Sequence, residues 1–402
     1  MSARLVILLR SLEGGGLQRN AVLLARGFLE RGLKVEVWAA EVRGPARTLL
    51  PEDVPVRRLS ARGWWRSLPL LARFREPSAV RPLLAPWRPQ PRLVAALPDL
   101  VATLKAGAPD ALLALGTQAN LAALLARRCA GLPIRVVASE HNPLNAIVAH
   151  ARRPFRRRYP QLIAALYPEA EAVVAVSDAV ARDLARLPGA ERLRLVSVPN
   201  PVDLADVRRK AACALSHPLA GSLADPLLVA AGRLHWQKGF DVLIRAMAEL
   251  DGRSAPRLVI LGDGPERGRL ARLVRRLALA DRVFLVGHDP NPWRWMARAR
   301  LFVHTALFEG FGHAVAEALA LGITPVVMAG PGALADLLEQ GRCGYLVAER
   351  SPQALAAAIK TALSRPLPAA RLKARAAAFA PERAVARYLA LLLGDAQGLA
   401  AA

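Results

Sequence analysis

The sequence predicts two doubly wound α/β domains in tandem, and three observations carry that expectation. The 402 residues exceed what one hydrophobic core usually supports, so two domains of roughly 200 residues each are expected. Apolar runs of strand length alternate with helix-length stretches, the grammar of a parallel sheet covered by helices. That grammar starts at the N-terminus and again after residue 225, on either side of the proline-broken stretch Val-Pro-Asn-Pro-Val-Asp, 198 to 203.

In order, Leu5 to Arg10 reads as a buried strand, Ser11 to Gly16 as a glycine loop, and Leu17 to Arg31 as a helix with Ala21, Leu24, Ala25 and Phe28 on one face. Gly32 ends that helix, and Val35, Val37 and Trp38 open the next strand. Ile134 to Ala138 is a further apolar strand, followed by Ser-Glu-His-Asn-Pro. In the second half Leu227 to Ala231 is a strand, and Phe240, Leu243, Ile244 and Met247 form a helical stripe. Arg257 to Leu261, Arg282 to Val286, Leu301 to Thr305 and Thr324 to Met328 follow as strands separated by helix-length sequence. The resulting division is a first domain over 1–198, a hinge at 199–203 and a second domain over 204–380, with a cleft between the two sheets. A C-terminal helix over 381–402 is expected to return to the first domain.

Hydrophobic residues at 53% and charged residues at 22% fit a folded globular protein and argue against long disorder. Cys129, Cys213 and Cys343 lie far apart, without zinc-site or disulfide spacing, which fits a reducing cytosol. The N-terminal apolar run is too short for a secretory signal, and no stretch of about 20 uncharged apolar residues predicts a membrane span. The net charge of +24 points to anionic partners. Residues 1 to 200 hold 30 Lys and Arg against 15 Asp and Glu, so the first half is the more basic.

The candidate chemistry sits at strand ends, where open α/β sheets bind ligands. In Gly-Arg-Leu-His-Trp-Gln-Lys-Gly, 232 to 239, Arg233 follows a strand and Lys238 precedes a helix, an arrangement suited to a diphosphate. In Leu-Phe-Glu-Gly-Phe-Gly-His-Ala-Val-Ala-Glu-Ala-Leu, 307 to 319, Gly310, Phe311 and Gly312 lead into a helix from about His313 whose free N–H groups suit phosphate. The same stretch keeps two acids, Glu309 in the loop and Glu317 among apolar neighbours, and a buried carboxylate needs a polar partner. Gly14, Gly15 and Gly16 form a similar loop in the first domain without matching the dinucleotide fingerprint. His141, after the strand ending at Ala138, lies between Glu140 and Asn142. There is no Asp-x-Asp pair, and no metal is expected.

These residues resemble the family 4 retaining glycosyltransferases of the two-domain GT-B architecture. The resemblance covers nearly the whole chain. It rests most on Glu309 and Glu317 in Glu-Gly-Phe-Gly-x-x-x-x-Glu-Ala, supported by Gly232-Arg233 with Lys238-Gly239, Leu-Gly-Asp-Gly-Pro-Glu (261–266), Val-Ser-Asp-Ala-Val (176–180) and the hinge. It implies a nucleotide-diphosphate sugar as donor, a UDP-sugar favoured over a GDP-sugar, and no other cofactor. Arg233 and Lys238 then take the diphosphate, Glu309 the donor sugar and Glu317 the ribose. Gly15, Gly16, Gly310, Phe311 and Gly312 line the donor, and His141 faces its sugar. Three departures from the family pattern stand out: Ala299-Arg300, His304-Thr305 and His313. Alternatives from other classes are a nucleotide-sugar epimerase of the same architecture and a non-catalytic polyanion binder, although no nucleic-acid-binding signature is present.

Between Arg57 and Arg92 lie nine arginines and one acid, Glu76, interleaved with Trp64, Trp65, Phe74 and Trp87. Arg152, Arg153, Arg156, Arg157 and Arg158 add an acid-free cluster. Arginine attracts anionic headgroups and tryptophan favours the interface, so a peripheral position on the cytoplasmic membrane face and a glycan or lipid-linked acceptor are expected.

Overall fold

The structure is a computed structural model that describes residues 2–61, 64–72, 92–151, 154–219, 221, 226–250 and 255–394. Its described residues divide into two compact units, one running to Pro201 and resuming at Pro381, the other spanning Val202–Ala380.

In the first unit a seven-stranded sheet comprises β1 (Arg4–Ser11), β2 (Lys34–Glu41), β3 (Val56–Arg58), β4 (Ala111–Leu115), β5 (Arg135–Glu140), β6 (Ala172–Ala175) and β7 (Leu195–Ser197), in the order β3-β2-β1-β4-β5-β6-β7. Every pairing is parallel. Parallel strands need crossovers, and helices in those crossovers cover both faces, which is why Val6, Ile7, Leu8 and Leu9 are all buried instead of alternating.

Five helices bear on function. Helices α1 (Gly16–Leu29) and α2 (Thr117–Ala130) belong to the first unit, α3 (Phe240–Ala248) and α4 (His313–Leu321) to the second, and α5 (Pro381–Leu393) returns to the first. Helix α5 packs on α1 through Val385, Tyr388 and Leu392 in one core with Ile7, Phe28, Val37 and Leu113. Gly27 permits that approach, because a Cβ there would fall 2.4 Å from Val385 Cγ2.

The second unit repeats the winding order with β8 (Leu227–Ala231), β9 (Arg257–Leu261), β10 (Val283–Gly287), β11 (Leu301–His304), β12 (Thr324–Met328) and β13 (Tyr345–Val347), arranged β10-β9-β8-β11-β12-β13. All are parallel. Phe240, Leu243, Ile244 and Met247 of α3 are buried in its core, the stripe that the sequence predicts.

The elements differ from the sequence reading in several places, most of them by one or two residues at an end. Strand β5 runs on to Glu140, which pairs with Ala175, so a carboxylate occupies a buried strand position. Strands β3, β4, β6, β7 and β13 were not anticipated; all but β4 span only three or four residues, too short a pattern to read. In the basic excursion, Arg62, Arg73, Phe74, Arg75, Glu76, Arg81, Trp87 and Arg88 lie outside the described residues, as do Arg152 and Arg153.

Candidate active site

The second unit gathers its chemistry around Glu309. Strand β11 ends at His304, and the chain turns through Thr305 to Phe308 before Glu309 bonds the loop beyond β12: its N–H donates to Pro331 O at 3.1 Å and its carbonyl accepts from Ala333 N at 3.0 Å. Gly332 makes this possible, since at φ +119° a Cβ would sit 1.7 Å from Glu309 O. The backbone of Glu309 is thus held by main-chain bonds and leaves its carboxylate for other work.

That carboxylate meets Lys238. Lys238 Nζ lies 2.6 Å from Glu309 Oε2, with the two side chains 21% and 18% exposed, so the pair is largely withdrawn from solvent screening. Lys238 ends the short turn Trp236–Lys238, and the turn is fixed from below: Thr305 Oγ1 donates to Lys238 O at 2.8 Å, and Leu307 N to Gln237 O at 2.8 Å. His304 is the third member, its Nε2 3.4 Å from Glu309 Oε2 in a contact too poorly aligned for a hydrogen bond. Burial pulls the His304 imidazole below its usual range, and the neighbouring Lys238 adds to the shift against the pull of Glu309. Burial alone raises the Glu309 carboxyl, but Lys238 and His304 outweigh it and hold the group well below the ordinary carboxylate range. Glu309 is therefore an anion with a cation already in hand.

Gly310 to Gly312 lead into α4, where Gly312 is the N-cap residue and His313 packs edge-on against Phe311 at 5.1 Å. Glu317 is 5% exposed on the same helix. Arg233 lies exposed in the loop after β8, which rests on the Leu-Gly-Asp-Gly-Pro-Glu loop through Leu234 N to Asp263 O and Glu266 N to Leu234 O. The structure thus brings Lys238, Glu309, Gly310, Phe311, Gly312 and Glu317 onto adjoining segments, with Arg233 on the loop that leads to Lys238.

In the first unit, Gly15 and Gly16 form the entry to α1 after β1, with Gln18 Nε2 tying the loop back to Ser11 O at 3.1 Å. His141 follows β5 and is 7% exposed, and Ser139 Oγ lies 3.2 Å from its Nε2. Glu140 is buried beneath, accepting from Thr117 Oγ1 at 2.9 Å, Asn120 Nδ2 at 3.0 Å and the Tyr167 hydroxyl. Sequence reasoning missed two participants. His304 was visible as a departure from the family pattern but carried no sign of a contact with Glu309. Arg350, which donates to Thr305 O at 2.6 Å and Ala306 O at 3.1 Å, gave no sequence signal at all.

Among the described residues no group of three or more His, Cys, Asp or Glu side chains is arranged to hold a metal ion. The family model for Glycosyltransferase Family 4 matches residues 14–206, and that for Glycosyl transferases group 1 matches residues 220–379. The chain belongs to the family 4 glycosyltransferases of GT-B architecture. Against curated relatives, this GT-B chain is 30% identical over 237 residues to the N-acetylgalactosamine-N,N'-diacetylbacillosaminyl-diphospho-undecaprenol 4-alpha-N-acetylgalactosaminyltransferase of Campylobacter jejuni, covering 58% of this chain and 63% of that protein. It is 35% identical over 208 residues to the GDP-mannose-dependent alpha-(1-6)-phosphatidylinositol dimannoside mannosyltransferase of Mycobacterium tuberculosis, covering 49% and 51%. The match thus spans less than two thirds of either relative. Among solved structures, Anabaena HepE in complex with UDP and glucose superposes with a TM-score of 0.70 at 20% identity, over the full length of both chains, and shows the shared fold.

The described part of the basic surface of this GT-B chain is open to solvent. Trp65 is 61% exposed beside exposed Arg66, and Arg156, Arg157 and Arg158 are exposed. Among the described residues no helix is long and apolar enough to cross a membrane.

Proposed function

We propose that the protein is a retaining glycosyltransferase that moves a sugar from a nucleotide-diphosphate sugar, most readily a UDP-sugar, to a lipid-linked acceptor at the cytoplasmic membrane face. The observation that carries the donor half is the largely buried Lys238–Glu309 pair, backed by Gly310 to Gly312 and the start of α4. On donor binding, Lys238 exchanges the carboxylate for the diphosphate. Glu309 is released to accept hydrogen bonds from the sugar hydroxyls, so one exchange arms both groups. Arg233 adds a second cation to the diphosphate, and together they offset the charge that develops on the leaving nucleotide. Glu317 takes the ribose, Gly15 and Gly16 offer backbone N–H groups, and His141 serves the donor sugar. The acceptor's hydroxyl proton passes to the leaving phosphate oxygen as the new glycosidic bond forms on the face the phosphate leaves. The names of both curated relatives specify alpha-linked products, which supports retention.

The acceptor half rests on charge. The net +24, exposed Trp65 and Arg66, and exposed Arg156 to Arg158 suit anionic headgroups, and the names of both relatives carry lipid acceptors. The test of the donor half is a panel of UDP- and GDP-sugars read by thermal shift and nucleotide release. At least one is expected to stabilise the protein and be consumed, and a panel without any binder overturns the proposal. For the acceptor half, the protein is expected to float with anionic liposomes, less with neutral ones, and to detach as salt shortens the Debye length below about 8 Å. Equal recovery in the soluble fraction with both vesicle types leaves a soluble acceptor as the reading.

A further inference from the structure

Beneath His141 the first unit contains a line of buried polar side chains that hydrophobic packing does not require. Asn20 of α1, Ser139 of β5 and Tyr388 of α5 are all 0% exposed, and Asn200 is 3% exposed. Asn20 Nδ2 donates to Asn200 Oδ1 at 2.8 Å. The Asn20 side chain also bonds the Tyr388 hydroxyl, and because Asn20 Oδ1 makes no hydrogen bond, the donor is again Nδ2. Tyr388 Oη lies 2.9 Å from Ser139 Oγ, and Ser139 Oγ lies 3.2 Å from His141 Nε2.

The direction of this line follows from what each group can do. An amide nitrogen carries two protons and accepts none, so Asn20 spends one on Asn200 and one on Tyr388. Tyr388, having accepted, has its single proton left for Ser139. Ser139, having accepted, has its single proton left for His141. An imidazole nitrogen that accepts is unprotonated, so the ring proton resides on the other nitrogen. We infer that Tyr388 and Ser139 are positioning residues for His141: a one-way hydrogen-bond chain from Asn20 through both hydroxyls fixes the imidazole as its Nδ1–H tautomer.

This rests on the reading that His141 serves the donor sugar, and it deepens that reading by naming which ring nitrogen carries the proton. It also gives the returning helix α5 a role beyond packing: its tyrosine decides the proton's place on a residue some 247 positions earlier in the chain. A merely structural Tyr388 has no bearing on that proton.

The measurement uses the full-length protein with 15N-labelled histidine, read by two-bond proton–nitrogen spectra. Its seven histidines are few enough to resolve, and the signals lost in His141→Gln identify His141. The parent is expected to show a protonated Nδ1 and a bare Nε2. Tyr388→Phe frees Ser139 to accept from the ring, so the two tautomers are expected to mix, with kcat lower by roughly tenfold and donor KM within about twofold. Ser139→Ala is expected to give the same mixing and covers the case in which Tyr388→Phe folds poorly. A parent carrying its proton on Nε2, or either variant folding normally with an unchanged tautomer, overturns the inference. Parental turnover in His141→Gln overturns the functional reading while leaving the tautomer result standing.

Discussion

Two glutamates largely withdrawn from solvent, one in each unit, have opposite fates. Glu140 accepts only from groups without charge, the Tyr167 and Thr117 hydroxyls, the Asn120 amide and the backbone N–H of His141. Burial outweighs all four and raises its carboxyl to about 7. Glu309 is also raised by burial, yet Lys238 at 2.6 Å reverses the sign and holds it well below the usual range. The difference teaches that hydrogen bonds from uncharged groups alone do not keep a withdrawn carboxylate ionised here, whereas a close cation with a histidine beside it does. It also separates the roles of the two acids. Glu309 is a permanent anion suited to a substrate, and Glu140 is a structural acceptor that shares a proton near neutrality.

Four substitutions break or sharpen that contrast. The largest effect is expected from Glu309→Gln, which removes the anion while the main-chain bonds to Pro331 and Ala333 keep the loop in place. Transfer is expected to fall by about 100- to 1000-fold, the range for deleting one preorganised electrostatic contact, with a melting curve close to the parent's. Activity within a few-fold of the parent removes Glu309 from the site. Next, Lys238→Ala and Arg233→Ala are each expected to lower kcat/KM by roughly 10- to 1000-fold. Their double variant is expected to fall well short of the product if both act on one diphosphate, as proposed. Calorimetry of nucleotide diphosphate binding that registers neither change refutes the pairing.

The smallest effect is one of stability. Glu140 binds its proton more tightly when folded, about 7 against 4.5, so the folded chain holds a proton that the unfolded chain has released between those values. Its contribution is therefore fully present below pH 4.5 and is lost as pH rises to about 7. The loss is on the order of 3 kcal/mol, and Glu140→Gln is expected to remove it. Melting temperatures across pH 5 to 8 should slope downward in the parent and run flatter in the variant, and parallel slopes exclude Glu140 as the titrating group.

The sequence made the second unit's site easier to read than the first's, for a physical reason. Arg233, Lys238, Glu309 and Glu317 lie in short stretches whose glycines and local order are visible in one dimension. The buried cluster around His141 draws Asn20, Thr117, Asn120, Tyr167 and Tyr388 from separate segments, and no periodicity records such a meeting. Strands Leu227–Ala231, Arg257–Leu261 and Thr324–Met328 were legible to the residue because uninterrupted apolar runs bounded them. Strand β5 was cut short at Ala138 because a serine and a glutamate look like a strand's end unless their partners are known. The contact of His304 with Glu309 was hidden for the same reason.

The chain leaves the first unit at Pro201 and comes back only at Pro381. During synthesis at about 5 to 20 residues per second, the 179 residues of Val202–Ala380 take roughly 10 to 40 seconds to emerge. Throughout that interval Phe28, Leu113 and the groove at Gly27 have no α5 to cover them, while the second unit can complete itself from one continuous stretch. The later-made half is therefore the first that can finish, and the nascent first half is the natural client for a chaperone. A ribosome stalled before Pro381 is expected to display a protease-resistant second unit on a protease-sensitive first.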